Sequence, residues 1–152
     1  MGKREILVFN LAAEDLGLDI SCVRSVLKYH EVHPLPQGPD FIEGVINLRG
    51  HIVAVIDLRK KFNVKITEDM DKLRIIICRI QKFIVGLIVD GVTEVINLSE
   101  DQIDPTPEVV SVQVGQNYLA GIARIGNRVI AILNLEEVLS KEDSIKLTNI
   151  KK

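Results

Sequence analysis

The chain has 152 residues, of which 47% are apolar, 26% are charged and only 4% are aromatic. This composition predicts a folded domain rather than a disordered chain. A net charge of −2 and the lack of a long basic run exclude proteins that bind duplex nucleic acid or anionic membranes through clustered Lys and Arg.

The elements predicted along the chain are mostly strands. Isoleucine and valine together supply about a quarter of the chain, and β-branched side chains suit pleated sheets better than helices. The first strand pattern begins right after the N-terminal charges, without the apolar segment of a signal peptide. The longest uncharged apolar run, Phe83 to Val89, is too short to span a membrane. We therefore expect a cytoplasmic protein with no direct membrane insertion.

The two cysteines, Cys22 and Cys78, both lie in apolar strand patterns. They are best interpreted as buried, reduced thiols that act as small hydrophobic side chains. Two cysteines without histidines at ligand spacing do not make a structural zinc site. We expect no metal and no cofactor.

An internal repeat covers the second half of each copy. Phe41 to Phe62 aligns without a gap on Tyr118 to Leu139, which pairs Gly44 with Gly121. We call this the second-hairpin alignment. The first copy predicts a strand, a tight turn at Arg49-Gly50, an apolar strand, and a short helix capped by Asp57. In the second copy, Gly126-Asn127 makes the turn and Asn134 the cap.

Another alignment precedes this one. Glu5 to Val26 lies over Arg74 to Val95, which pairs Gly17 with Gly86, and we call it the first-hairpin alignment. The offsets of the two alignments differ by eight, so the second copy carries about eight extra residues, which we place in the loop-like stretch Ser99 to Gly115. Each half therefore predicts a hairpin, a further strand, a second hairpin and a short helix.

This organisation predicts an all-β fold made by internal duplication. About five short strands per half would close into a small barrel, which leaves no open sheet edge. The polar stretch 65–71 is the predicted boundary. Lobe 1 is expected over residues 1–66 and lobe 2 over residues 72–140, followed by a C-terminal tail at 141–152.

Catalytic motifs are missing from the sequence. It contains no glycine-rich phosphate loop followed by lysine and no G-x-S-x-G nucleophile elbow. Asp57 is explained as a helix cap, and Glu100-Asp101 as the first turn of a helix capped by Ser99. The chain is therefore not expected to be an enzyme, and an interaction module is the default. A small barrel that binds single-stranded nucleic acid is a remote alternative. That class needs stacking aromatic residues along a basic groove, whereas only 4% of this chain is aromatic and its net charge is −2.

The high apolar content leaves two interpretations open. Two small barrels have limited interiors, so some Ile and Val side chains could line an exposed groove between the lobes, where a partner would bind. Alternatively, one large shared core could bury them all.

The run FIEGVINLRGHIVAVIDLRKKF closely resembles the signature of the CheW family of chemotaxis coupling proteins. FIVGLIVDGVTEVINL, SEDQIDPTPE and YLAGIARIGNRVIAILNLEEVL resemble further family segments in order and spacing. The resemblance extends from about Ile6 to Leu139. It implies a single CheW-like domain over 1–152 that is built from two SH3-like, five-stranded β-barrel lobes with a few short helices.

The resemblance also implies a function. CheW-like proteins are adaptors that couple the cytoplasmic tips of methyl-accepting chemoreceptors to the CheA histidine kinase, through the CheW-like regulatory domain of the kinase. The chain would then be cytoplasmic and recruited to membrane-associated receptor arrays. The alternative is an adaptor of the same fold in another histidine-kinase pathway, such as surface motility.

Seven residues carry over as candidates for binding the receptor or the kinase: Ile20, Val23, Val26, Gly44, Asn47, Arg49 and Val95. The valines could instead belong to the core, and Gly44 could serve the backbone, because Gly121 is its repeat partner. Arg49 aligns with Gly126 in the second-hairpin alignment, so the turn does not require an arginine.

One position departs from the family pattern. The family usually has a glutamate where Ser25 stands, and that glutamate can pair with the arginine that corresponds to Arg49. The pairing of Arg49 is therefore left open, and Glu43 is another candidate partner.

Overall fold

The computed structural model describes residues 3–35, 42–66, 71–104 and 119–138. The predicted tail at 141–152 lies outside them. The strands are β1 Lys3–Leu11, β2 Glu14–Asp19, β3 Val23–Lys28, β4 Ile42–Leu48, β5 His51–Asp57, β6 Arg74–Ile80, β7 Phe83–Val89, β8 Gly91–Ser99, β9 Ile103–Asp104, β10 Leu119–Ile125 and β11 Arg128–Leu133. Helix α1 spans Leu58–Lys61, and single 3-10 turns span Ile20–Cys22, Glu100–Gln102 and Leu135–Glu137. The all-β prediction is confirmed. No helix in these four ranges is long and apolar enough to cross a membrane.

The strands form two sheets. One has the order β3-β6-β7-β5-β4 and the other β8-β1-β2-β11-β10-β9. In the second sheet, β8 leads through the turn at Glu100–Gln102 directly into β9, which lies at the opposite end of the strand order. A link of this length spans roughly 10 Å, so the two ends of the sheet lie close together and the sheet curls on itself.

The first sheet closes in the same way. Its end strands are β3 and β4, and His33, which follows β3 in the chain, forms a β-bridge with Val45 of β4. We call the five-stranded unit the first barrel and the six-stranded unit the second barrel.

The barrels do not coincide with the predicted lobes 1–66 and 72–140. The hairpin β1–β2 belongs to the second barrel, where it pairs with β8 and β11. The hairpin β6–β7 belongs to the first barrel, where it pairs with β3 and β5. The first hairpin of each half of the chain thus lies in the barrel that contains the second hairpin of the other half. The exchange covers the free edges of each hairpin, which would otherwise be exposed.

The strand registers agree with the duplication. Gly44 lies opposite Val55 in the first barrel, and its repeat partner Gly121 lies opposite Ile132, the repeat partner of Val55, in the second. The register shifts just before both glycines. The predicted caps also form, because the side chains of Asp57 and Asn134 each accept a hydrogen bond from the amide two residues later.

The apolar side chains form three clusters. One cluster fills the first barrel and includes Ile75, Ile77 and Val53, and another fills the second barrel around Ile6 and Val8. The largest lies between the sheets and contains residues of both. Burial of this apolar area is the main stabilising contribution to the fold, and the shared core accounts for much of the apolar excess of the sequence.

A buried ion network connects helix α1 to the neighbouring strands. The guanidinium of Arg59 donates to Asp57 at 2.9 Å and to Asp90 at 3.3 Å, and all three side chains are at most 10% exposed. The other carboxylate oxygen of Asp90 accepts a hydrogen bond from the Ala12 amide, in the turn of the exchanged hairpin β1–β2. Asp90 therefore ties the second barrel to a helix of the first.

Candidate partner-binding surface

A groove of about 1090 Å³ opens on the first barrel. Its lining comes from β3, the end of β4, the turn between β4 and β5, and strands β5 to β7. The lining residues are Arg24, Ser25, Leu27, Leu48, Arg49, His51, Ile52, Val53, Ala54, Ile77, Phe83, Ile84 and Val85. An apolar groove was predicted between the lobes, but this groove belongs to the first barrel alone. Of the seven predicted binding residues, only Arg49 lines it.

Arg49 is held at an unusual backbone position. It and Gly50 form a two-residue hairpin loop with φ angles of +53° and +86°, the type I′ geometry in which Asn-Gly is preferred. The side chain of Asn47 accepts a hydrogen bond from the Gly50 amide at 2.9 Å. Asn47 thus stabilises the turn that presents Arg49, and because Asn47 is exposed, its contact with a partner stays a prediction.

The second hairpin turn differs from the first. Gly126 has a φ of +57°, but Asn127 does not have a positive φ, so this loop has the type II′ pattern. The predicted two-residue turn at Gly126-Asn127 is present, but its backbone geometry differs from that of Arg49-Gly50. Arg49 occupies a left-handed conformation that disfavours side chains with a Cβ atom.

The side chain of Arg49 is exposed and makes no hydrogen bond or ion pair with any described residue. Glu43, the suggested internal partner, instead binds Lys60 at 2.7 Å. Ser25 lines the same groove as Arg49 but carries no charge. Arg49 is therefore a cation that lies at the rim of an open groove and has no partner within the described part of the chain.

The four apolar candidates separate into two groups. Val26 and Val95 are exposed by 38% and 48%, at positions that the first-hairpin alignment makes equivalent in β3 and β8. Ile20 and Val23 are partly buried and pack against the shared core. The exposed pair can contact a partner, while Ile20 and Val23 mainly support the strands behind it.

Gly44 serves the backbone. A Cβ atom at Gly44 would lie 2.3 Å from the carbonyl oxygen of His33, the residue that closes the first barrel. A Cβ atom at Gly121 would lie 2.8 Å from the carbonyl oxygen of Asp104 in β9, at the corresponding place in the second barrel. Both glycines allow an edge strand to approach closely, which explains why both copies have one.

Three polar residues were not recognised in the sequence. Arg24 and His51 line the groove beside Arg49, but a lone charge in a strand pattern resembles any exposed position. Arg59 opens a short basic run with Lys60 and Lys61 in the sequence, yet it is buried. Its two acidic partners are Asp57 and Asp90. Their spacing in the sequence did not indicate that the fold brings them to Arg59.

The groove has the features of a recognition surface. Within the four described ranges, no three His, Cys, Asp or Glu side chains lie close enough together to hold a metal ion. The groove combines aliphatic walls with the guanidinium groups of Arg24 and Arg49. Such a lining suits a partner segment that carries both apolar and acidic side chains.

Residues 5–143 match the family model of the CheW-like domain. The chain is 37% identical to the chemotaxis protein CheW of Klebsiella aerogenes, over 98% of this chain and 89% of that protein. It is 34% identical to the chemotaxis protein CheW of Bacillus subtilis, over 92% and 89% of the two chains. Among solved structures, it is similar to the scaffolding protein TtCheW from Thermoanaerobacter tengcongensis, with a TM-score of 0.84, 39% identity, and coverage of 93% and 96%.

Proposed function

Because this chain belongs to the CheW family and is a chemotaxis adaptor, we propose that it couples the cytoplasmic tips of methyl-accepting chemoreceptors to the CheA histidine kinase. In this proposal, the kinase is bound through its own CheW-like regulatory domain. The chain acts in the cytoplasm at receptor arrays attached to the membrane. It performs no catalysis and needs no cofactor.

The observation that carries the assignment of the receptor to a surface is the groove of the first barrel, with Arg49 at its rim and paired with no described residue. A concave groove with apolar walls suits the binding of an amphipathic helix. In this proposal, the helix is the tip of the chemoreceptor. Val26 and Val95 provide further exposed apolar contacts. Partner contacts near the centre of an interface contribute most of the binding free energy.

The test is reconstitution from purified components. A tagged receptor-tip fragment is mixed with the CheA regulatory domain, with and without this chain. We expect the receptor fragment to retain the kinase domain only when the chain is present. Binding of the chain to neither component, at micromolar concentration and low salt, would contradict the proposed function.

A further inference from the structure

The duplication allows one surface of the chain to be compared with its own copy. In the second barrel, Arg128 lies 3.2 Å from the carboxylate of Glu94 and 3.4 Å from that of Asp15. Hydrogen bonds to Glu94 and to Asp15 raise the pKa of the Arg128 guanidinium. Strands β11, β8 and β2 are thereby joined by one ion cluster on the surface of that barrel.

The equivalent positions in the first barrel are His51, from the second-hairpin alignment, and Ser25 and Ile84, from the first-hairpin alignment. All three line the groove. Both acids of the second barrel have thus been replaced by uncharged residues, while a titratable base remains at the position of Arg128. Among the residues that the structure describes, none forms an ion cluster at this place in the first barrel.

The groove keeps its positive charge. Arg24 and Arg49 stand beside His51 in its lining, and no Asp or Glu is among the lining residues that the structure describes. None of these three side chains forms an ion pair with a described residue. The like charges of Arg24 and Arg49 around one groove repel each other, so a carboxylate placed near them is favoured.

The apolar part of the lining strengthens this preference. Ile52 is 60% exposed, which is unusual for so large an aliphatic side chain, and it stands next to His51 at the mouth of the groove. When a partner covers Ile52, water leaves the groove, and a charge pair there becomes stronger than the same pair in bulk solvent. An acidic side chain flanked by apolar side chains matches this lining.

From this comparison we infer that the groove of the first barrel binds an acidic side chain of the receptor-tip helix, which takes the place of Glu94 and Asp15 in the second barrel. The inference rests on the proposed function, because it assigns the occupant of the groove to the receptor. Ser25 is central to it: a residue without charge leaves Arg49 available to the partner, so Ser25 determines which partners fit.

The experiment is a calorimetric titration of the full chain with a purified receptor-tip fragment and, separately, with the CheA regulatory domain. Ser25→Glu supplies the missing carboxylate internally and Arg49→Glu reverses the charge at the rim. We expect each change to weaken binding of the receptor fragment by roughly tenfold or more. Lys3→Glu, at an exposed position of the second barrel, makes a comparable change in net charge and should leave the affinity within about twofold. Melting curves of all variants are measured to test whether each one is folded.

Two further measurements identify the carboxylate. Affinity of the unchanged chain should fall as salt rises, and Ser25→Glu should flatten that dependence. Each acid of the receptor fragment is then changed to lysine, and one such change should restore binding to Arg49→Glu.

The outcomes separate the inference from the proposed function. If the unchanged chain binds the receptor but Ser25→Glu and Arg49→Glu bind it equally well, the inference is wrong and the proposed function stands. If both variants lose the kinase domain and keep the receptor, the assignment of the groove to the receptor is wrong. If the unchanged chain binds neither partner, the proposed function itself fails.

Discussion

Arg59 and Asp90 lie in different halves of the chain, yet their side chains meet at 3.3 Å in an almost fully buried pair. Arg59 belongs to helix α1, which follows the hairpin β4–β5. Asp90 also accepts a hydrogen bond from the amide of Ala12 in the exchanged hairpin β1–β2. This pair is one of the polar links between the two barrels. Its stability has direct consequences for the whole domain.

Replacing Arg59 should destabilise the fold strongly. Arg59→Met leaves the carboxylates of Asp57 and Asp90 buried without their cation, and a broken buried pair of this kind costs about 3 to 5 kcal/mol. Urea unfolding followed by circular dichroism measures the loss. The matched control is Lys60→Ala, which removes the exposed pair with Glu43 and should change the free energy of unfolding by less than about 1 kcal/mol. Similar losses for both variants would contradict the assignment.

Gly44 should prove to be a folding residue. A methyl group at this position would meet the His33 carbonyl at 2.3 Å, so Gly44→Ala should lower the free energy of unfolding by roughly 1 to 3 kcal/mol. Gly91→Ala is the control, because its added Cβ atom would have no neighbour closer than 3.4 Å. Receptor affinity, measured per folded molecule, should be unchanged in Gly44→Ala. A variant of full stability that fails to bind would instead make Gly44 a contact residue.

At Arg49, stability and binding should separate. Arg49→Ala keeps a Cβ atom at the positive φ, so the free energy of unfolding should change by about 0.5 kcal/mol or less. Arg49→Asn creates the preferred Asn-Gly turn and should increase the stability by up to about 1 kcal/mol. Both should weaken receptor binding by about five- to 150-fold, equivalent to roughly 1 to 3 kcal/mol. Unchanged affinity for both receptor and kinase would show that Arg49 is only a surface residue.

Val26 and Val95 should contribute to partner binding and little to folding. An aspartate at either exposed position introduces a charge that an apolar interface would have to desolvate, so affinity for the receptor or the kinase should fall about tenfold or more. Val129→Asp provides the control, because Val129 is 55% exposed in a strand of the second barrel and is not one of the seven predicted binding residues. Equal effects of all three changes would point to a general charge effect.

The two cysteines should differ in reactivity. Cys78 is fully buried, and burial raises the pKa of its thiol, so it stays protonated and shielded in mildly alkaline buffer. Cys22 is partly exposed and should react with a thiol reagent in the folded chain. We expect one reactive thiol under native conditions and two in guanidinium chloride. Cys22→Ser should abolish the native reaction, and a remaining fast thiol in that variant would contradict the burial of Cys78.

Much of the fold follows from the sequence because it depends on local signals. Apolar alternation fixes the strands, Asp57 and Asn134 cap the helical turns, and the two gap-free alignments reveal the duplication. The exchange of hairpins could not be predicted in this way. Since the two copies are alike, a hairpin finds an equivalent register on either half, and sequence periodicity does not distinguish the two pairings.

The candidate surface was predicted less well, for a different physical reason. Arg49 and Val95 are both exposed, although the sequence left open whether Val95 belongs to the core. The burial of Arg59 and the positive charge around the groove depend on which strands become neighbours, and this is a property of the exchanged topology. His51 becomes part of the groove lining only when β3, β5 and β7 come together.

The exchange of hairpins also sets the order in which the chain can fold during synthesis. When the ribosome has released the first half, β1–β2 lacks both of its neighbours, because β8 and β11 both belong to the second half. The first barrel is equally incomplete until β7 has emerged. Such distant pairings form slowly and leave strand edges uncovered in the meantime. The nascent chain therefore remains vulnerable to mispairing with its neighbours on the same messenger until its last hairpin is made.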